Sequence, residues 1–206
     1  VRYRRSLVRK NLIASFPEKT PSEITSIQRE YYRNLCDYTV ETVKLLTITQ
    51  LELSSRVVFK NVAPLEKYKS LNQSILLLAS HQFNWEWLLT SGNLSLPMAI
   101  DFVYQPVNNN VVNRFLLSCR TRFGAHPIKR NELAREIIKR KNVLRGVAIV
   151  ADQYPGRKQD KKYVTTFLHQ ETAFFYGTNQ LAALTQYPIL YAEIRKVKRG
   201  YYEVTL

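Results

Sequence analysis

Glycine, cysteine and long apolar runs are all scarce in this chain, and each scarcity narrows what it can be. Six glycines in 206 residues argue against a glycine-rich phosphate cradle, and neither a Walker A loop nor a G-x-S-x-G elbow is present. The two cysteines, Cys36 and Cys119, stand far apart in apolar surroundings. We expect reduced core thiols in a reducing compartment rather than a disulfide framework. No Cys/His spacing suggests zinc, so no metal site is expected. The longest apolar run, Ile75 to Ala79, falls far short of the roughly 18 residues a membrane span needs, and no signal peptide is visible. Acidic residues are also in the minority, 16 against 31 basic ones, for a net charge of +15. Such an excess favours polyanionic partners, whether nucleic acid, anionic lipid head groups or an acidic protein, and does not choose among them.

The hydrophobic content of 45% and the aromatic content of 12% exclude disorder and suffice for one full-sized core. We expect a single domain over 1–206, with a helical arm and linker over 1–70 and an α/β core over 71–206. Met98 is the only methionine, the chain opens on VRYRR, and it closes on YYEVTL like an unfinished strand. A piece of a longer protein, trimmed at both ends, is therefore expected.

In the arm, "TPSE" offers Thr20 as an N-cap, Pro21 at the first helical position and Glu23 three residues after the cap, a capping box. Ile24, Ile27, Tyr31, Leu35 and Tyr38 follow at steps of three and four, an amphipathic stripe that predicts a helix to about Leu46. Beyond residue 74 the pattern alternates. "SILLLAS" and "GVAIVADQ" read as strands buried on both faces, "MAIDFVY" and "PILYAEIRKV" as further strands, and "GYYEVTL" as the returning strand of a hairpin. "WEWLLTSG", "NNVVNRFLLSCRTRFG", "NELAREIIKRK" (capped by Asn131) and "YGTNQLAALTQ" read as helices. The alternation predicts an α/β fold with a mixed, largely parallel sheet flanked by helices and preceded by the helical arm.

In such folds ligands bind beyond the carboxyl ends of the strands, and two strands here end in polar residues. The first ends in "HQFNWEW". His81 and Glu86 are five residues apart, about 140° around a regular helix, so they meet only if His81 lies on the strand-to-helix turn and Glu86 in the first turns of the helix. The carboxylate would then hold one imidazole nitrogen and leave the other to take a proton from a hydroxyl. A histidine capping a helix, with Glu86 on a solvated face, fits the same spacing, and Trp85 and Trp87 read as packing groups. The second strand ends in "ADQYPGRK", whose Asp152, Gln153, Arg157 and Lys158 suit either a charged turn or a phosphate contact. His126 and His169 have no partner pattern and read as structural.

Taken together, "VRKNLIASFPEKTPSEI", "HQFNWEW", "YQPVNNNVVNRFLLSCRTRFGA", "VAIVADQYPGRK" and "TTFLHQETAFFYG" resemble, in order and over essentially the whole chain, the bacterial lipid A biosynthesis (lauroyl/myristoyl) acyltransferases of the HxxxxD/E lysophospholipid acyltransferase superfamily. The resemblance implies a glycerol-3-phosphate acyltransferase-like fold, with His81 as general base and Glu86 as its orienting carboxylate. It implies substrate-binding roles for Asn84, Tyr104, Asn108, Asn109, Asp152, Gln153 and Phe167, and for Arg120 at the donor thioester oxygen or phosphopantetheine. Gln105 stands where the family usually has arginine. The implied reaction moves a fatty acyl chain from acyl carrier protein to a hydroxyl of an anionic lipid A precursor. It uses the carrier thioester and no other cofactor, at the cytoplasmic face of the inner membrane of a Gram-negative-type bacterium.

The same chemistry on another membrane glycolipid or amino-acid lipid fits the site equally. A basic nucleic-acid-binding module is the rival from another class. It would concentrate positive charge and exposed aromatics along one groove, whereas charge here is spread along the chain and no nucleic-acid motif is present.

Overall fold

A computed structural model of the chain describes residues 3–156 and 160–206. The arm is a helical hairpin, α1 (Arg5–Ser15) and α2 (Pro21–Lys44). Arg9 Nη1 donates to Thr25 Oγ1, while Gln28 Nε2 donates to the Arg5 carbonyl and the Tyr32 hydroxyl to that of Tyr3, so the helices run antiparallel. The capping box forms as expected: the Thr20 hydroxyl accepts from the Glu23 amide and Glu23 Oε2 accepts from the Thr20 amide at 2.8 Å. Helix α2 stops at Lys44, two residues short of the predicted end.

There follow α3 (Gln50–Arg56), β1 (Val57–Asn61), α4 (Ala63–Ser70), β2 (Ile75–Ala79), α5 (Trp85–Ser95), β3 (Ala99–Tyr104) and α6 (Asn110–Thr121). Next come β4 (His126–Lys129), a 3-10 turn (Arg130–Glu132), α7 (Leu133–Lys139), β5 (Arg145–Val150), β6 (Lys162–Phe167) and β7 (Gln170–Phe175). The chain closes with α8 (Gly177–Thr185), β8 (Ile189–Tyr191), β9 (Glu193–Lys198) and β10 (Tyr201–Thr205). The central sheet has the order β4-β3-β5-β2-β8, and all of its pairings are parallel. A second sheet, β1-β10-β9, pairs β1 parallel to β10 across most of the chain length, and β6–β7 form a separate hairpin.

The apolar run of β2 has a simple cause: the strand is covered on both faces. Ile75 and Leu77 pack into a core with Trp87, Leu88, Ile100 and Leu53. Leu76 faces the opposite core with Val147, Ile149, Ile137 and Leu181. Where β3 and β5 cross, Gly146 permits close approach, since an added Cβ would come within 2.9 Å of Ile100 Cδ1. Two buried aspartates tie the layers together. Asp101 on β3 takes a bidentate pair from Arg140 at 3.0 and 3.1 Å. Asp37 on α2 is held by Lys196 at 2.9 Å and Arg199 at 2.7 Å, which joins the arm to the β9–β10 hairpin.

Several expectations are corrected by the structure. "PILYAEIRKV" is not one strand: the chain breaks at Ala192, whose amide donates to the Leu78 carbonyl, and β8 and β9 enter different sheets. Asn131 caps nothing, because it lies inside the 3-10 turn and α7 begins two residues later without a side-chain cap. Cys119 is buried as expected, but Cys36 is exposed, on the side of α2 away from the core. Among the described residues no helix is long and apolar enough to cross a membrane.

Candidate active site

Strands β2 and β5 are neighbours, and their parallel register pairs Ala79 with Val150. Two residues further along each chain stand His81 and Asp152, still side by side. Asp152 Oδ1 lies 2.6 Å from His81 Nδ1, and Asp152 Oδ2 accepts the His81 backbone amide at 2.9 Å. Both side chains are partly exposed. Burial alone would raise the Asp152 carboxyl, but the hydrogen bonds from the His81 ring and amide outweigh it and hold the carboxyl below its usual range. An ionised Asp152 accepts from a protonated Nδ1, which leaves Nε2 as the ring's acceptor.

The expected contact between His81 and Glu86 is therefore not the one formed. His81 does lie on the strand-to-helix turn, but Glu86 turns inward and is 1% exposed. It receives a bidentate pair from Arg120, from Nε at 2.7 Å and Nη2 at 2.6 Å. The physical reason is that a carboxylate so deeply buried needs a permanent opposite charge with matching geometry, and a guanidinium supplies both. Burial works against the charge on Arg120, yet Glu86 overrides it and raises the affinity of the guanidinium for its proton. Tyr38, from the arm, donates to Glu86 Oε1 at 3.5 Å, and burial followed by the Glu86 charge pushes its phenol well above the usual range.

The turn between His81 and α5 is strained. Phe83 takes φ 46°, a left-handed conformation uncommon for a bulky side chain, and such strain is found where a site fixes the backbone. Trp85 packs edge-on to the His81 ring with centroids 4.9 Å apart, and Tyr38 stacks on the far side of Trp85 at 4.1 Å. The imidazole is thus held by a carboxylate at one edge and by Trp85 of α5, which Tyr38 of the arm backs.

His81, Glu86, Arg120, Trp85, Tyr104 and Gln153 all line a cavity of about 760 Å³. Gln105 lies on the same wall. On the α5 side of the sheet its lining includes Leu77, Leu88, Gly92, Leu96 and Ile100, and on the α7 and α8 side Leu133, Ala134, Leu181 and Leu184.

Not every residue singled out in the sequence arrives here. Asn84 is fully buried and is the N-cap of α5: its Oδ1 accepts the Trp87 amide at 2.9 Å and its Nδ2 donates to Glu41 at 2.7 Å. Asn109 caps α6, accepting the amides of Val111 and Val112, and Asn108 is exposed beside it; neither lines the cavity. Phe167 stands half-exposed at the end of β6, edge-on to Phe174, away from the cavity walls. Phe83 and Phe115 pack against the core, whereas Trp85 lines the cavity. His126 lies 3.7 Å from Glu136, and His169 sits in the β6–β7 turn at φ 62°. Arg157 and Lys158 lie outside the described residues.

Three contributors were missed by sequence reasoning. Glu41 sits three residues after Tyr38 on the buried stripe of α2 and anchors Asn84, the Tyr202 hydroxyl at 2.8 Å and, by its carbonyl, the Trp87 indole. A charge on an apolar stripe was the available signal. Tyr38 itself reads in the sequence only as part of the amphipathic stripe, and Arg130, stacked over Phe175 and paired with Asp160, stands just ahead of the segment read as a helix.

The profile of the bacterial lipid A biosynthesis acyltransferases matches residues 1–206, and the chain belongs to that family. A search of curated proteins returned no match.

Proposed function

From that membership and the site, we propose that the protein transfers a fatty acyl chain from the thioester of acyl carrier protein to a hydroxyl of a lipid A precursor, with His81 as general base and Asp152 as the carboxylate that orients it. The observation that carries this reading is the 2.6 Å contact between His81 Nδ1 and Asp152 at the mouth of a largely apolar cavity. His81 Nε2 takes the hydroxyl proton as the oxygen attacks the thioester carbonyl. Asp152 fixes the tautomer and stabilises the imidazolium, as the acid member of a triad does. The tetrahedral oxyanion then collapses, the carbon–sulfur bond breaks, and the imidazolium returns its proton to the departing thiolate. A thioester is already activated, so the scheme uses no acyl-enzyme, no metal and no cofactor beyond the prosthetic group of the carrier protein.

Arg120 stabilises the oxyanion in this scheme. Glu86 occupies its Nε and Nη2, and Nη1, which has no partner among the described residues, is the donor available to the reacting oxygen. Glu86 thus positions Arg120 rather than His81. The donor chain lies along the α5 side of the cavity, whose lining includes Leu88, Gly92, Leu96 and Ile100. The net charge of +15 serves two anionic partners, the acidic carrier protein and the phosphates of the acceptor at the cytoplasmic face of the inner membrane.

Product mass tests this reading. The full-length protein in detergent is given acyl carrier protein loaded with chains of several lengths and a tetra-acylated lipid A precursor, beside a His81→Ala control. A gain of one acyl chain that depends on His81 supports the proposal. No gain from folded protein removes the lipid A precursor as acceptor.

A further inference from the structure

Helix α8 begins at the ligand side of the central sheet with its first turn uncapped. Its N-cap residue, Tyr176, forms no side-chain cap and gives its own amide to the Lys161 carbonyl at 3.1 Å. Gln180 is the first residue to close onto the helix start, its amide reaching the Tyr176 carbonyl at 3.4 Å. The amides of Gly177, Thr178 and Asn179 therefore have no acceptor among the described residues. A helix start of this kind is ordinary when water meets the free N–H groups, and by itself it indicates nothing.

The second observation is the Thr178 side chain. Thr178 is 9% exposed and lines the same cavity as His81, yet its hydroxyl has no hydrogen-bond partner among the described residues. The hydroxyl is not sealed in protein, since Arg145 Nε is the one buried side-chain atom without a hydrogen-bond partner among the described residues; on a residue otherwise buried, it opens onto the cavity that Thr178 lines and is available to donate to a ligand there. The free amides of the first turn, the Thr178 hydroxyl and the positive end of the helix dipole lie together at the start of α8, where Gly177 and Thr178 line the cavity. That set suits a group that only accepts hydrogen bonds and carries negative charge.

Asp152 is held by His81 and does not line the cavity, and the charged side chains that do line it are paired. On the cavity wall, Glu86 is matched by Arg120 and the Asp160 carboxylate by Arg130. No open space is lost to the backbone either, since a Cβ placed on Gly177 would meet nothing within 4 Å.

We propose that the first turn of α8, through the Gly177, Thr178 and Asn179 amides and the Thr178 hydroxyl, binds a phosphate ester of a substrate. The substrate assignment rests on the acyl-transfer reading; the anion site itself does not. Two phosphates have the required chemistry: the phosphodiester of the carrier protein's prosthetic group, and a phosphate on the acceptor lipid.

The first experiment uses inorganic phosphate alone. Phosphate is titrated into the full chain against chloride at matched ionic strength, with the melting temperature and the ³¹P linewidth as readouts, for the parent, Thr178→Val and Thr178→Ser. Parent and Thr178→Ser bind, whereas Thr178→Val binds about tenfold more weakly, as expected for one lost hydrogen bond to a charged group. The melting temperatures without phosphate show that each variant folds. Equal binding by Thr178→Val and the parent, or no effect beyond that of chloride, overturns the site.

Two kinetic arms then separate the sources. One compares acyl-phosphopantetheine with acyl-pantetheine as donor, and the other compares phosphorylated with dephosphorylated acceptor. The source is the arm in which the phosphate advantage in kcat/KM present in the parent disappears in Thr178→Val. If phosphate binds but neither advantage changes, the site holds an adventitious ion only and the substrate assignment is overturned. If the parent shows no acyl transfer at all, the function reading fails while the phosphate titration still decides the site.

Discussion

His81 and Asp152 stand opposite each other two residues beyond the last register pair of β2 and β5, Ala79 and Val150, and the carboxylate bridges the ring Nδ1 and the backbone amide of the histidine. The acid/base pair is thus a product of strand adjacency. Its geometry is set by two neighbouring strands of a parallel sheet covered on both faces, rather than by a single loop.

The buried Glu86–Arg120 pair has a consequence for stability. Arg120→Ala leaves a carboxylate 1% exposed without its partner, a change expected to cost about 3–5 kcal/mol. Urea unfolding of the variant measures this, and a loss below 1 kcal/mol would show that water or another group takes over. Glu86→Gln, which keeps the shape and one acceptor, is expected to lower kcat more than it raises KM, because the task given to Glu86 is the aim of Arg120.

Gly92 lines the apolar α5 side of the cavity. A methyl group there would sit in ordinary contact with Leu96 Cδ1 at 3.6 Å and Ile100 Cγ1 at 3.7 Å, so Gly92→Ala folds, while Gly92→Val takes up space a chain terminus would use. Each buried methylene is worth about 0.8 kcal/mol, roughly fourfold in affinity. The expected result is a shift of kcat/KM toward shorter acyl donors, read in competition among carrier proteins loaded with different chains. An unchanged length profile places the donor chain elsewhere, with the α7–α8 side of the cavity the next to test.

Asp37 carries a pH dependence whose sign follows from its partners. Burial raises its pKa, but hydrogen bonds from Lys196 and Arg199 outweigh this and leave it lowered in the folded state. The unfolded chain therefore binds the proton more readily. The contribution to stability is complete above the ordinary aspartate value of about 3.9 and is lost as pH falls through the lower folded value. Asp37→Asn should cost about 1–3 kcal/mol at pH 7, and the gap to the parent should narrow below pH ~4. Urea titrations at pH 7 and pH 3 check this; a gap that does not narrow contradicts it.

Electrostatic attraction to an acidic carrier protein should weaken as salt screens it over about 10 Å at 0.1 M. The KM for the carrier protein is expected to rise several-fold between low and moderate salt while kcat stays within twofold. A flat response removes the +15 charge from the account of donor binding.

What the sequence made legible was local. The Thr20 capping box, the continuous apolar runs of β2 and β5, and the polar residues at their ends all follow from patterns within a few residues, and each is present in the structure. What escaped it was pairing. Nothing within "SILLLAS-HQ" or "GVAIV-ADQ" says that these strands are neighbours, so Glu86, five residues away, was the natural partner for His81, and Asp152, seventy-one away, was not. The same limit hid the parallel pairing of β1 with β10 and the way Tyr38 and Glu41 from the arm hold Trp85, Glu86 and Asn84 from behind. The β6–β7 hairpin was missed for a different reason. Its turn places Leu168 and His169 at positive φ, without the glycine or asparagine that normally announces such a turn.

The most direct test of the central claim is kcat/KM for acyl transfer by Asp152→Asn, with circular dichroism to show that the fold is kept. Asparagine preserves the shape but cannot stabilise the imidazolium and leaves the His81 tautomer undefined. The account predicts a fall of about 10²–10⁴-fold. Activity within threefold of the parent, in a folded variant, would contradict the His81–Asp152 pair as the acid/base unit.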